Sequence, residues 1–266
     1  MKVSSLFEYI FLILIFSILL FIGNANLWGN QLNHDFPFGY LASDAFQHQV
    51  RAEAIKDAGN FKFESPYISH GFEDAVGRYP PLIYHLGVIL SYSTGLEVYD
   101  TTYFVLFFLA SLAPIIMYFV IKEINKNVAL LSLPVSLMIF MSPNIHGFTF
   151  GHWPAILAQV FLIALFWSFY RIDIKKSFLF IGIFSSGIFL THTSEFVFAL
   201  FFIFVYFIVN LIFKKLSFKD VKTIILGGVL TLIIVSYYMI IFRYSWFIGQ
   251  AYHFSVMPIW EGNPGF

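Results

Sequence analysis

Long apolar runs separated by short polar connections occupy most of this chain. The first apolar run covers residues 6–23. The later runs cover residues 102–121, 128–142, 154–170, 177–191, 196–213 and 223–242. Runs of this kind approach the roughly 20 apolar residues that a helix needs to cross a bilayer. The pattern predicts an all-α polytopic membrane protein with about seven transmembrane helices, forming a single membrane domain over residues 1–266.

A polar segment, residues 24–101, separates the first two predicted spans and carries two further helical patterns. Within residues 43–58, apolar and polar side chains recur at helical spacing on different faces. The apolar stripe is Phe46, Val50, Ala54 and Ala58, and the polar stripe is Asp44, His48 and Arg51. Gly59 suits a left-handed helix end. Residues 80–95 begin with two prolines, which suit a helix start, and we expect both segments to form surface helices.

The distribution of basic residues predicts the orientation in the membrane. The connections at residues 122–126, 171–176 and 214–222 are basic, and short basic loops face the cytoplasm. If residues 80–95 lie flat, ten Lys/Arg and four acidic residues fall on the cytoplasmic side. Five Lys/Arg and eleven acidic residues then fall on the outer side. We therefore predict a cytoplasmic N-terminus, an outer loop over residues 24–101 and an interfacial helix over residues 80–95. A signal peptide cleaved near Gly23 is the alternative to an uncleaved first helix.

Composition agrees with a membrane protein and excludes some chemistry. The chain is 59% hydrophobic and 11% charged, with a mean hydropathy of +0.80, whereas soluble domains are about one quarter charged. It contains no cysteine, which excludes disulfides, thiolate metal ligands and catalytic thiols. Its zero net charge gives no reason to expect a nucleic-acid partner. We predict that the protein lies in the bilayer of a prokaryotic-type plasma membrane.

Two residues of the first surface helix are the candidates for catalysis. Asp44 begins that helix, where it serves either as a helix cap or as an exposed carboxylate that acts as a general base or binds a cation. His48 lies one turn later on the same predicted face. Arg51 adds a cation suited to a phosphate, to lipid headgroups or to an ion pair with a neighbouring acid.

The other candidates for substrate binding also lie at the predicted outer face. They are Arg78, Tyr79, His85, His146, His152, His192 and Glu195. Each has a structural alternative, since aromatic and His side chains are common at membrane interfaces and His192 and Glu195 are near enough to pair with each other. Trp153 is predicted as an interfacial anchor. No spacing of His or carboxylates defines a metal site, so a divalent metal enters only as an optional cofactor.

Four features of the chain match a known pattern. They are Ser43-Asp44-Ala45-Phe46 after the first span, Tyr79-Pro80-Pro81-Leu82 at the second surface helix, a basic turn after the second span, and a second outer loop with glycines. Together they resemble the GT-C superfamily of membrane glycosyltransferases, which includes oligosaccharyltransferase catalytic subunits and protein O-mannosyltransferases. Segments 79–82, 151–154 and 190–192 are also similar to uncharacterised prokaryotic membrane proteins labelled 6-pyruvoyl-tetrahydropterin-synthase-related, although no soluble pterin-synthase site is present.

The resemblance implies a function and roles for particular residues. It implies a seven-span module that transfers a sugar, with inversion, from a polyprenyl-phosphate-linked donor to an unidentified acceptor outside the cytoplasm. Asp44 would be the base or a metal ligand, and Arg78 would hold the donor phosphate. The second outer loop departs from oligosaccharyltransferases because Phe150-Gly151-His152-Trp153 contains no carboxylate. The helices and soluble domain that follow this module in the family are expected beyond residue 266.

Two other functions are compatible with the same sequence. The first is a non-catalytic membrane protein that binds a lipid carrier or a polysaccharide. The second is a transporter, which we rank lower because transporters usually place ionisable groups near the bilayer midplane. Only His192 and Glu195 come close to such a position in the predicted spans.

Overall fold

The computed structural model describes residues 5–25, 39–41, 43–61, 80–141 and 144–243, and these residues form helices without any strand. The long helices are α1 (Ser5–Gly23), α4 (Val98–Lys122), α7 (Trp153–Tyr170), α9 (Thr193–Ile212) and α10 (Phe218–Arg243). The shorter ones are α2 (Ser43–Ala58), α3 (Leu82–Thr94), α5 (Lys126–Val135), α6 (Ile145–Thr149) and α8 (Ser177–Phe189), and a 3-10 segment, Ser136–Phe140, continues α5.

Five helices in the described part of the chain, α1, α4, α7, α9 and α10, are long and apolar enough to cross a membrane. The chain is therefore a multi-pass integral membrane protein. The other two predicted spans are shorter than expected. Helix α8 has 13 residues, or about 20 Å, whereas the hydrocarbon core is about 30 Å thick. The predicted span 128–142 is divided between α5 and the 3-10 segment, because Pro134 weakens the helical ladder there. The count of seven spans stays a prediction.

Polar contacts join the starts and turns of several helices at one end of the bundle, which we call the basic end. Glu8 of α1 is buried and bonded to both Lys122 and Lys126 at the α4–α5 turn. Arg171 Nη1 lies 2.6 Å from Glu123 Oε1, which connects the α7–α8 turn to the same place. Lys219 Nζ donates to the carbonyl of Asp173 at 3.4 Å, adding the start of α10. The three basic connections of the sequence thus meet at one end.

Helices α2 and α3 pack side by side at the opposite end. His48 Nδ1 lies 2.8 Å from the Tyr84 hydroxyl, and eight residues further along both helices the Tyr92 hydroxyl donates to the Lys56 carbonyl at 2.7 Å. The two helices therefore run parallel. Helix α3 also joins the end of α8, since Leu82 N donates to the Leu190 carbonyl at 2.9 Å. Such contacts suit a helix lying across the bundle end, although its depth in a membrane stays a prediction.

Helix α2 buries part of its polar stripe inside the protein. His48 and Arg51 are only 4% and 7% exposed, and Ala52 and Ile55 are buried beside them. Val50, assigned to the apolar stripe, is 45% exposed. The sequence alone does not indicate this burial, because polar side chains can be buried only where other segments supply hydrogen-bond partners, and a local apolar count cannot detect those partners.

Aromatic side chains fill the core beneath α2. The rings of Tyr40 and Tyr103 lie 5.0 and 6.0 Å from Trp153, and Phe107 stacks on Phe148 at 4.8 Å. Trp153 is fully buried, and its indole N–H donates to the carbonyl of Phe148. Its prediction as an interfacial anchor was wrong, because the surface helices and the loop before α7 cover it. This aromatic cluster packs against the buried side of α2, where the Trp153 ring lies 5.4 Å from the His48 ring.

Candidate functional site

The loop before α7 packs directly on the first turn of α2. Gly151 has a φ of +95°, and a Cβ atom at that position would lie 2.3 Å from Ala45 N and 2.8 Å from Asp44 Cβ. Leu41 N also donates to the Thr149 carbonyl at 2.9 Å. Only glycine combines this backbone conformation with so close an approach. The two predicted outer loops are therefore in contact at Asp44.

Asp44 is exposed within the first turn of α2, which begins at Ser43. A carboxylate in this position is favoured by the positive end of the helix dipole. The backbone beside it is fixed by Gly151, while the side chain remains accessible. Asp44 is thus an accessible carboxylate on a rigid support, which is what a general base or a cation ligand requires.

His48 is a buried link between three segments. Its Nε2 lies 2.8 Å from the Gly151 carbonyl, which only accepts, so Nε2–H is the donor. Nδ1 then accepts from the Tyr84 hydroxyl at 2.8 Å. Burial, reinforced by the positive charge of Arg51, lowers the pKa of His48 to about 3, against the opposing effect of the Gly151 carbonyl. A neutral imidazole with both nitrogens engaged favours a positioning role over the predicted proton transfer.

Arg51 was predicted to bind a phosphate, lipid headgroups or a neighbouring acid, and the structure places its side chain inside the protein. It is 7% exposed and lies one turn beyond His48. Its charge acts on the neighbouring imidazole. The buried guanidinium is therefore not placed to bind a phosphate at the outer surface.

His192 and Glu195 form a hydrogen-bonded pair at the start of α9. Glu195 is buried, whereas His192 is partly exposed. The pair lies near enough to His48 for His192 to contribute to its lowered pKa. The structure therefore brings His192 and Glu195 to the same end as Asp44 and His48, with the two residues bonded to each other.

The remaining sequence candidates occupy separate surroundings. The His85 ring packs edge-on against Phe61 with centroids 5.1 Å apart, and burial lowers its pKa to about 4. His146 is exposed and packs edge-on against Phe150 at 5.7 Å. Arg78 and Tyr79 lie outside the described residues.

His152, directly after Gly151, is exposed and lines a cavity of about 420 Å³ between α4, the 3-10 segment, α6 and α7. The polar side chains of this cavity are Asn144, His152 and Gln159, and its other lining is mostly apolar. A second cavity of about 290 Å³ shares Ala113, Ile139 and Ile163 with the first and extends along α4 to Ile121. We call the two together the lateral groove.

Sequence reasoning missed two residues of this region. Tyr84 completes the His48 contacts, but in the sequence it is one aromatic residue among many at a predicted interface. Gln159 could have been singled out from the sequence. It is a lone amide inside the apolar run 154–170, and an amide in apolar surroundings is costly without a partner or ligand.

Among the residues that the structure describes, no three His or acidic side chains are grouped so as to hold a metal ion. His192 and Glu195 approach such an arrangement, but they are bonded to each other. The optional divalent metal therefore has no defined ligand set among these residues.

Comparison with known proteins gives no further guidance. No protein-family model matches the chain, and no curated protein or solved structure matches it. Its function has to be argued from the arrangement of its own residues.

Proposed function

We propose that this chain is a GT-C-like membrane glycosyltransferase, or the N-terminal module of one, that uses a polyprenyl-phosphate-linked sugar. One observation carries the proposal. Asp44 carries an exposed carboxylate on a backbone that packs against Gly151, and the residue after Gly151, His152, lines the lateral groove. A carboxylate beside a mostly apolar groove with a few polar groups is suited to a lipid carrying a reactive polar head.

The lateral groove suits the hydrocarbon part of such a donor. Its wall is built from Ala, Ile and Phe side chains of α4, α6 and α7, and the second cavity continues it towards the basic end. The polar side chains in the lining are those of Asn144, His152 and Gln159. We infer that the isoprenoid chain occupies the groove and that its phosphate lies near those polar groups.

The proposed reaction uses Asp44 as general base. The hydroxyl oxygen of the acceptor forms a bond to the anomeric carbon of the sugar as the bond from that carbon to the phosphate oxygen breaks. Asp44 takes the hydroxyl proton, and the polyprenyl phosphate leaves with the bonding electrons. Attack from the face opposite the phosphate inverts the anomeric centre. Arg78, outside the described residues, is proposed to hold the departing phosphate, as charge development there needs a cation.

We infer that the chain crosses the membrane seven times with the basic end in the cytoplasm. The contacts at the two ends of each short segment support counting these segments as crossings. Helix α8 begins beside the basic α7–α8 turn and ends at Leu190, bonded to α3. The segment from Lys126 to Phe140 begins beside Glu8 and ends with Phe140 packed 5.0 Å from Phe107 and 5.2 Å from Phe148. Both segments therefore run from the basic end to the end that carries Asp44.

The first prediction tests Asp44 directly. The full chain in lipid nanodiscs is incubated with a panel of polyprenyl-phosphate monosaccharides, and release of free sugar or transfer to added acceptors is measured. Asp44→Asn should lower the rate about 100-fold or more, since general-base catalysis contributes roughly 10²–10⁴-fold. Asp57→Asn changes an exposed acid at the other end of the same helix and should leave the rate unchanged.

A non-catalytic protein that binds the lipid carrier is the second candidate function. It is favoured by the burial and lowered pKa of His48, because a buried neutral imidazole is not available to transfer protons. If polyprenyl phosphate binds while wild type and Asp44→Asn both lack turnover, this second function is the correct one and the transferase proposal fails.

A further inference from the structure

A cationic surface at the basic end is not used by the proposed transferase. It consists of residues 173–176 and 213–222, the α7–α8 turn and the segment around the start of α10. These residues include six lysines and two aspartates, which leave a net charge of +4. The lysines are exposed, and Lys219 Nζ reaches the Asp173 carbonyl at 3.4 Å, so the two segments form one continuous surface.

One of the two acids on this surface is already engaged. The Asp220 carboxylate accepts from Ser217 N at 3.1 Å and from the Ser217 hydroxyl at 2.6 Å. This carboxylate caps the start of α10 rather than approaching a lysine in these contacts. Most of the positive charge is therefore left to attract an external anion.

Two lysines on the surface have a strained backbone. Lys176 has a φ of +68° and Lys214 a φ of +53°, and they are the non-glycine residues of positive φ among the described residues. Glycine would adopt this conformation without a steric penalty. Cytoplasmic orientation requires basic residues near the helix ends, but it does not require them at these two positions. The strain is consistent with selection for a cation at each turn.

Exposed aromatic side chains lie among the lysines. Phe218 is 86% exposed at the start of α10, and Phe213 is exposed at the end of α9 with Lys215 Nζ 6.0 Å from its ring. Aromatic rings beside cations are typical of the bilayer interface, where the rings enter the headgroup region and the cations approach lipid phosphates.

We propose that this cationic surface binds the phosphate headgroups of acidic phospholipids in the adjoining leaflet. Lys176 and Lys214 hold their ammonium groups towards the leaflet through the left-handed turns. The inference does not depend on the proposed transferase, because the surface lies at the opposite end from Asp44.

The test measures lipid selectivity with the full chain in membranes of phosphatidylcholine containing spin-labelled phosphatidylglycerol or spin-labelled phosphatidylcholine. Wild type should prefer phosphatidylglycerol by about threefold or more, and the preference should fall as salt is raised. The double variant Lys176→Gly/Lys214→Gly should lose most of this preference. The matched control Lys56→Gln removes a cation at the opposite end and should keep it.

A second measurement separates lipid binding from a structural role. In pure phosphatidylcholine, the double variant should have a Tm equal to or higher than wild type, because glycine relieves both strained turns. A lower Tm there, or an unchanged preference for phosphatidylglycerol, would overturn the proposal. Loss of the wild-type preference on adding millimolar glycerol phosphate would also overturn it, since the surface would then bind free phosphate rather than the bilayer headgroup.

Discussion

His48 joins three segments that are far apart in the chain. It contacts Tyr84, 36 residues away, and the carbonyl of Gly151, 103 residues away. Each contact satisfies one ring nitrogen, so the imidazole can be buried without leaving a polar atom unsatisfied. Because Gly151 also touches the backbone of Asp44, the His48 contact helps to fix the candidate carboxylate. His48 thus links α2 to α3 and to the loop before α7.

Stability should depend on pH through His48. Its pKa is about 6.5 in the unfolded chain and about 3 in the folded protein, so between these values only the unfolded state binds the proton. The free energy of unfolding therefore falls as the pH falls through this window, by about 2 kcal/mol between pH 6.5 and pH 5. His48→Gln should remove this part of the acid sensitivity in thermal unfolding measured at pH 7 and pH 5.

The exposed His146 provides the control for that experiment. His146→Gln should retain the pH dependence of the wild type, since this side chain is exposed beside Phe150. Equal pH dependence in His48→Gln and wild type would contradict the assigned burial of a neutral imidazole.

The contact between α2 and the loop before α7 leaves no room for a side chain at residue 151. Gly151→Ala would introduce a Cβ at 2.3 Å from Ala45 N in a backbone conformation that alanine rarely adopts. We expect the variant to lose about 2 kcal/mol or more of stability and to lower any activity that depends on Asp44. Thermal unfolding in detergent measures the first effect.

Gly228→Ala is the matched control for that variant. Gly228 lies within α10, and no atom lies within 4 Å of where its Cβ would be. Alanine there should be neutral or stabilise by about 0.5–1 kcal/mol, because glycine weakens a helix interior. Equal destabilisation by both substitutions would show that Gly151 has no special role.

Local patterns in the sequence predicted the helices better than their faces. The bounds of α2 match the predicted segment 43–58, because Gly59, with a φ of +64°, ends the helix as expected. Which face of α2 is buried was not predictable, because it depends on Tyr84 and Gly151 in other segments. Likewise, the lateral groove is lined by several elements, so no single stretch of sequence encodes it.

The orientation of the whole molecule can be tested cleanly because the chain has no cysteine. Single variants Asp57→Cys, Thr94→Cys and Lys175→Cys each place a thiol at an exposed position. In intact cells, a membrane-impermeant maleimide should label Asp57→Cys and Thr94→Cys. Lys175→Cys should react only after permeabilisation. Labelling of Asp57→Cys only after permeabilisation would contradict the flat placement of α3, because the residues before α3 would then lie on the cytoplasmic side.

The buried Glu8 has a consequence for how the protein is made. Its partner Lys122 follows 114 residues later in the chain, so at about 5–20 residues per second the ribosome needs roughly 6 to 23 s to produce it. During that time α1 is in the membrane with a carboxylate that has neither of its two lysines. Helix α1 therefore reaches its final packing only after α4 and the start of α5 have been synthesised.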